Sequence, residues 1–395
     1  MGEPVASPTP PSVVAGATPV KLVSEWLARP TASRGELPAS PLTKADAQAV
    51  LDLLWADKKA SVAKDFQAAN KRHSLPLQGK TLKWLERVFG TEPSGGRSLW
   101  ISLHGGGNAP AELNDEQWQN QIGLYEPKEG IVIAPRAPTN TWNLWHEAHI
   151  DPMFDSLIAG MVATRNVNPN KVYVLGYSAG GDGVYQIGPR MADRWAAAAM
   201  MAGHPNEAKP LSLRNLPFFI FAGGADDGFD RNKVAATWGK QLDALRAKDP
   251  LGYPHKTTIY PGLPHWMDGK DAEAIPLMAK AVRNPWPKKI VWLQDDITHD
   301  RFYWLARPTG TSAKDQLVQA TVNGQTIDIS AEGHGKLILR LSDRLLDLDK
   351  PVTVTCRGKK LFSGPVQRSA EALKKSLDER PDPESAASTL LEVLF

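Results

Sequence analysis

The stretch Val172-Tyr173-Val174-Leu175-Gly176-Tyr177-Ser178-Ala179-Gly180-Gly181-Asp182-Gly183 restricts the fold more than any other part of the chain. An apolar run of strand length ends in Gly-x-Ser-x-Gly and passes directly into the start of a helix. A serine at such a junction needs a sharp turn in a strained backbone region, and small residues two before and two after it prevent a collision across the turn. Gly176 and Gly180 meet that need. From Thr81 onward the chain carries short apolar runs: Trp84 to Phe89, Leu99 to Leu103, Ile131 to Ala134, Val172 to Leu175, Phe218 to Ala222 and Thr257 to Tyr260. Segments of helix length separate them. That rhythm predicts an α/β fold, a mostly parallel sheet with helices on both faces.

A serine hydroxyl is a weak nucleophile until a base takes its proton, and the base needs an acid to hold one tautomer. Ser178 is the candidate nucleophile. The run Leu99-Trp100-Ile101-Ser102-Leu103 leads into His104-Gly105-Gly106-Gly107-Asn108, a glycine loop whose backbone N–H groups suit a developing oxyanion. The N–H groups of Gly106 and Ala179 are the expected donors. Downstream, Pro217 to Phe221 is followed by Ala222-Gly223-Gly224-Ala225-Asp226-Asp227-Gly228-Phe229-Asp230, which puts an acid just past a strand end. Asp226 is the first choice and Asp227 the runner-up, while Asp230 suits a helix cap before Arg231. His265, in a Gly/Pro loop after the next strand, is the expected base; His255 precedes that strand, and His204 precedes the acid in chain order.

This constellation resembles the α/β-hydrolase superfamily, and in particular bacterial esterases similar to polyhydroxyalkanoate depolymerases and feruloyl esterases. The resemblance covers roughly Ser98 to Arg283, and its motifs are Gly176 to Gly180, His104 to Gly107, Asp226 and His265. It implies two-step acyl transfer on a small-molecule or polymeric ester without a cofactor: Ser178 attacks the carbonyl, His265 takes and returns the proton, and water releases the acid. A serine peptidase of the same fold, or a polymer-binding protein with a vestigial triad, are the alternatives.

Two further clusters bear on the cleft. Trp142-Asn143-Leu144-Trp145-His146-Glu147-Ala148-His149 has histidines three apart, one short of the zinc-protease spacing, so no metal site is expected. The segment reads equally as a cleft wall or as a packed loop. Trp142, Trp145 and Trp266 are candidates for substrate contact, as is His204 with Asn206, on the loop after an Ala-rich strand.

The remainder of the chain divides by composition. Residues 1–42 are rich in Pro, Ala and Ser, and Thr43 is expected to cap a covering helix running towards Ala69 within residues 43–80. The catalytic unit spans 81–285. After Asn284-Pro285-Trp286-Pro287 the pattern turns to hairpins, with corners at Asn323-Gly324 and Arg357-Gly358, so residues 286–368 read as a small β-sandwich. Residues 369–395 read as a charged helical or frayed tail. Its end, Leu391 to Phe395, matches the start of a common protease-tag sequence, or closes a native strand. The charges, 46 basic and 43 acidic, are interspersed, which gives no footprint for nucleic acid, and no apolar run reaches the ~18 residues of a membrane helix. One cysteine, Cys356, excludes an internal disulfide. No secretory signal opens the sequence as written, although a Pro-rich spacer often follows a removed one, so the compartment stays open, as does the oligomeric state.

Overall fold

The computed structural model describes residues 18–395; residues 1–17 of the Pro/Ala/Ser-rich lead lie outside the described residues. The remainder of that lead is not featureless. Thr18 caps helix α1 (Pro19–Leu27), which buries Val23 and Trp26 against α2 (Lys44–Arg72). α2 starts where the sequence predicts, because the Thr43 hydroxyl accepts from Asp46 N–H at 3.1 Å while the Asp46 carboxylate accepts from Thr43 N–H at 3.2 Å.

The unit expected to be catalytic is built on a single eight-stranded sheet. Its elements run β1 (Ser74–Leu77), β2 (Lys80–Phe89), β3 (Arg97–Leu103), α3 (Ala111–Gln121), β4 (Gly130–Arg136), α4 (Ile150–Thr164), β5 (Val167–Tyr177) and α5 (Ala179–Arg190). They continue through β6 (Ala197–Met201), β7 (Phe218–Gly223), α6 (Arg231–Lys248), β8 (His255–Tyr260) and α7 (Ala274–Met278). The order is β1-β2-β4-β3-β5-β6-β7-β8, in which β3 to β8 are mutually parallel, β2 is antiparallel to β4 and β1 to β2. This is the α/β-hydrolase fold. Strand β1 falls inside the segment expected to be only helical, so the sheet begins seven residues before Thr81.

Successive side chains of the central strands serve opposite faces, which is why these strands read as continuous apolar runs. Leu99, Ile101, Leu103, Val172 and Val174 meet α2, α4, α5 and α6 on one face. On the other, Trp100, Tyr173, Leu175 and Phe221 meet Ile275 and Met278 of α7.

The C-terminal unit has two packed sheets. One takes β9 (Lys289–Leu293), β12 (Leu317–Asn323), β13 (Thr326–Ala331), β15 (Val352–Cys356) and β16 (Lys359–Gly364); the other takes β10 (Arg301–Phe302), β11 (Leu305–Ala306), β14 (Lys336–Leu341) and β17 (Thr389–Leu394). β17 pairs with β14 from Thr389 to Leu394, and α8 (Ala370–Glu379) packs on α2, so residues 369–395 are structural rather than a frayed tail. Sequence separation hid this, since β17 finds its partner some fifty residues upstream. One hairpin corner also differs from the expectation. Asn323 still pairs with Thr326, and the two loop residues are Gly324 and Gln325, of which only Gly324 has positive φ, at 56°. A turn with glycine first takes that conformation without strain. Arg357-Gly358 is a corner as predicted, with φ of 49° and 78°.

α2 and α4 are packed tightly at Gly160, where an added Cβ would lie 2.2 Å from the Phe66 ring. Gly160→Ala is expected to lower unfolding free energy by about 1–3 kcal/mol in urea titrations. A variant as stable as the parent would mean that this helix pair is loosely packed.

Candidate active site

Four loops at the C-terminal ends of β3, β5, β7 and β8 meet at one point. At the end of β5 the chain turns through Ser178, whose φ of 57° and ψ of −121° lie outside the helical and strand regions. Ser178 N–H donates to Met201 O at 2.9 Å, which fixes the turn to β6. The turn closes only because of its glycines: a Cβ on Gly176 would meet Gly180 O at 2.3 Å, and one on Gly180 would meet Leu103 O at 2.1 Å. Strain held in this way exposes the serine hydroxyl and is a recurrent feature of functional turns.

Ser178 Oγ lies 3.0 Å from His265 Nε2, and His265 Nδ1 lies 2.8 Å from Asp226 Oδ2. A carboxylate can only accept, so Nδ1 carries the proton and Nε2 is left to accept from the serine hydroxyl. Asp226 is 4% exposed, whereas Asp227 faces solvent and Asp230 pairs with Lys233. Main-chain bonds tie the acid loop to the base loop: Gly224 N–H donates to Tyr260 O at 2.8 Å and Ala225 N–H to Leu263 O at 2.9 Å. A Cβ on Gly223 would lie 2.1 Å from Pro264 O, so a glycine is needed for the two loops to touch.

The glycine loop after β3 is held from behind. His104 is fully buried; its Nε2 accepts from Ala137 N–H at 3.1 Å, which leaves Nδ1 to donate to Gly105 O at 2.5 Å. Trp145 Nε1 donates to His104 O at 2.9 Å. Buried Asn114 accepts from Gly107 N–H at 2.8 Å and donates to Ala109 O at 3.0 Å. The N–H groups of Gly105, Gly106 and Ala179 have no acceptor among the described residues, and Ala179 opens α5, where the helix dipole also favours negative charge.

A cleft of about 710 Å³ opens over Ser178, lined by Gly105, Gly106, Leu113, Gln117, Leu124 and Trp266 among others. Of the residues expected to touch substrate, Trp266 lies in this lining and is 48% exposed. Trp145 is a core residue with no exposed surface, stacked on Phe154 at 6.2 Å, and cannot contact substrate. Trp142 is exposed but edges onto His146 at 5.4 Å, outside the cleft lining. His204 is also outside it; its N–H donates to Asp182 Oδ1 at 2.6 Å, and its Nδ1 accepts from Asn206 N–H at 3.0 Å. The two histidines three apart are therefore in a packed loop, where His149 sits 3.3 Å from Glu147.

Two positioning residues are absent from the sequence reading. The Tyr177 hydroxyl donates to His265 O at 2.6 Å and accepts from Met267 N–H at 3.1 Å, which anchors the base loop to the nucleophile strand. Its place next to Ser178 in the motif was a usable signal. Asn114 had none, because an asparagine in a polar helix gives no sign that it is buried.

Electrostatically the site is surrounded by groups kept out of their usual state. Burial pushes His104 and His146 down to about 4 and Asp182, one helical turn after Ser178, up to about 6.

No protein-family model and no curated protein matches the chain. Solved structures that resemble it include a thermostable esterase (TM-score 0.44, 18% identity, 53% of this chain and 62% of that one), so this chain spans under two thirds of that protein. Esterase PE8 is 19% identical over 51% of this chain and 99% of that one, with TM-score 0.35. The BES protein from Bacillus cereus is 11% identical over 53% and 94%, with TM-score 0.38. These likenesses cover about half of the chain, and the fold assignment rests on the strand order itself.

The depressed imidazoles give stability a pH dependence of definite sign. The unfolded chain protonates His104 and His146 near pH 6.5 and the folded chain only near 4, so their contribution is complete above 6.5 and declines as pH falls. Asp182 opposes this, since the folded chain takes up its proton near pH 6. Denaturant titrations at pH 7 and 5 should show a net loss from these three groups of about 2 kcal/mol at the lower pH. His146→Phe should remove about 2 kcal/mol of that loss; an unchanged pH slope would show that His146 is free to protonate in the folded chain.

Proposed function

We propose that this chain is a serine-dependent carboxylic ester hydrolase that works through an acyl-enzyme on Ser178. The observation that carries the reading is the continuous hydrogen-bond chain from Ser178 Oγ through His265 to Asp226, beside unoccupied backbone donors. As Oγ attacks the ester carbonyl, His265 Nε2 takes its proton, and the carboxylate of Asp226 stabilises the imidazolium. The tetrahedral oxyanion forms next to the N–H groups of Gly106 and Ala179, whose fixed positions need no reorganisation. Collapse returns the proton from Nε2 to the departing alkoxide, and water then repeats the sequence on the acyl-serine.

Esters suit the cleft better than peptides. Extended peptides are commonly held by pairing with a strand edge, and among the described residues lining the cleft the only strand residue is Tyr177, on a strand paired on both sides. Leu113, Leu124 and Trp266 offer apolar surface for an acyl or alcohol group, and Gln117 offers an amide.

Ser178→Ala should retain the fold and lose at least about 10³ in kcat on p-nitrophenyl esters, together with all labelling by a fluorophosphonate. Asp226→Asn should cost several orders of magnitude, since it removes the tautomer lock, and Asp227→Asn little. Esterase activity near that of the parent in purified Ser178→Ala would end this assignment.

Specificity rests on Trp266. Its replacement by alanine should lower kcat/KM for an aromatic acyl ester by about tenfold relative to the acetate ester of the same alcohol, whereas Trp142→Ala leaves that ratio unchanged. Equal losses on both esters for Trp266→Ala would assign its indole to packing alone.

A further inference from the structure

A second cavity, of about 400 Å³, is lined by Arg194, Arg301, Arg307, Arg340, Lys375 and Arg380 among others. It shares no residue with the cleft over Ser178. Six cations around one small cavity are accounted for only in part by acids. Arg194 is held by Asp155 and Asp193, Arg380 by Asp193 at 2.8 Å and Arg340 by Glu379 at 2.5 Å. Asp300, also in the wall, already accepts from Gly310 N–H and from the Ser312 hydroxyl. Arg301, Arg307 and Lys375 have no carboxylate within 4 Å among the described residues.

Arg301 is the most exposed to this imbalance. Its Nη2 donates to Ser385 O and Oγ at 2.9 and 3.1 Å, but Nε and Nη1 have neither a partner nor contact with solvent. Arg340, 2% exposed, also has an unpartnered Nε, as does Arg307. Burial, reinforced by the neighbouring charges of Arg380 and Arg340, pushes Arg301 well below the usual arginine range. A buried guanidinium without a counter-ion is among the more costly arrangements a fold can hold, and its arginine neighbours raise that cost.

We propose that this cavity binds a small multivalent oxyanion, one presenting a phosphoryl group or clustered carboxylates, which supplies the counter-charge that Arg301, Arg307 and Lys375 lack. Planar guanidinium forks match the oxygens of both groups, and the volume exceeds that of a single phosphate, so it leaves room for an organic moiety attached to the charged group. The site lies where β10, β14 and α8 meet the catalytic unit at Arg194, so occupancy ties the two units together. It is independent of the ester-hydrolase reading.

The test is thermal unfolding of the full chain in 0 to about 20 mM phosphate or citrate, with chloride holding ionic strength constant. At least one of the two should raise Tm saturably by about 2–5 °C, and the stronger one identifies the charged group preferred. Arg301→Met should abolish that rise and, by removing an uncompensated charge, should leave the anion-free Tm equal to or above that of the parent. Arg307→Gln, at a partly exposed position, should weaken apparent affinity at least tenfold, and it carries the test if Arg301→Met does not fold. Ser178→Ala should respond like the parent chain, which separates this site from the catalytic one. The proposal is overturned if neither anion gives a saturable rise, or if the arginine variants respond like the parent.

Discussion

The contact on which the functional part of this molecule depends is the approach of the first turn of α5 to the end of β3. At Gly180 the helix backbone comes so near the carbonyls of Leu103 and His104 that no side chain fits, and at Gly183 it comes equally near the indole of Trp145. One consequence is geometric: the loop bearing Gly105 and Gly106 is drawn alongside Ser178. Another is electrostatic, because the same approach sets the open end of the α5 dipole beside the position where negative charge would develop. Trp145 is therefore a structural residue with a direct link to the chemistry. Its side chain fills the space that Gly183 leaves, and its N–H holds the carbonyl of His104, the first residue of the glycine loop.

The legible part of the sequence was the part governed by local rules. Gly176, Ser178 and Gly180 fall within five residues, so the constraint that unites them is visible in the chain itself, and the same holds for Thr43 with Asp46 and for Arg357-Gly358. Asp226 and His265 were legible for a related reason: each follows its strand directly, and the hydrogen bonds of Gly224 and Ala225 to the next loop are consequences of β7 and β8 being neighbours. What escaped was set by distant partners. Trp145 and Trp142 are three residues apart in similar surroundings, yet one is in the core and the other in solvent, because only Trp145 meets α4 at Phe154 and α5 at Gly183. Strand β17 depends on β14, and α1 on α2 and α8, and neither dependence leaves a periodic trace in the segment concerned. The Asn323-Gly324 corner was misplaced by one residue since register is fixed by pairing with β9 and β15 as well as by turn preference.

The C-terminal unit is joined to the eight-stranded one by buried charge. Asp193, three residues past the end of α5, accepts from Arg194 at 2.5 Å, from Tyr303 N–H at 3.0 Å and from Arg380 at 2.8 Å, while Tyr303 OH donates to Ala192 O. Asp151, in the first turn of α4, accepts two bonds from Arg190 and a third from His299 at 2.7 Å. Both carboxylates are 2% exposed, and their partners hold each of them below the ordinary carboxylate range despite the opposing effect of burial. Replacing such a pair by apolar residues is often neutral, but removing one side of it leaves a charge stranded, at a cost of about 3–5 kcal/mol. Without the C-terminal unit Asp193 would keep Arg194 but lose Arg380 and Tyr303, and Asp151 would keep Arg190 but lose His299. Apolar contacts act in the same direction, since Phe302, Tyr303 and Trp304 belong to the same continuous core as Trp195 and Phe154. Helix α5, which follows Ser178, is thus held at both ends, by the glycine contact with β3 at its start and by Arg190 and, three residues past its end, Asp193 at its finish. The β-rich unit thereby touches the far end of the helix whose first turn follows Ser178, although it contributes no described residue to the cleft.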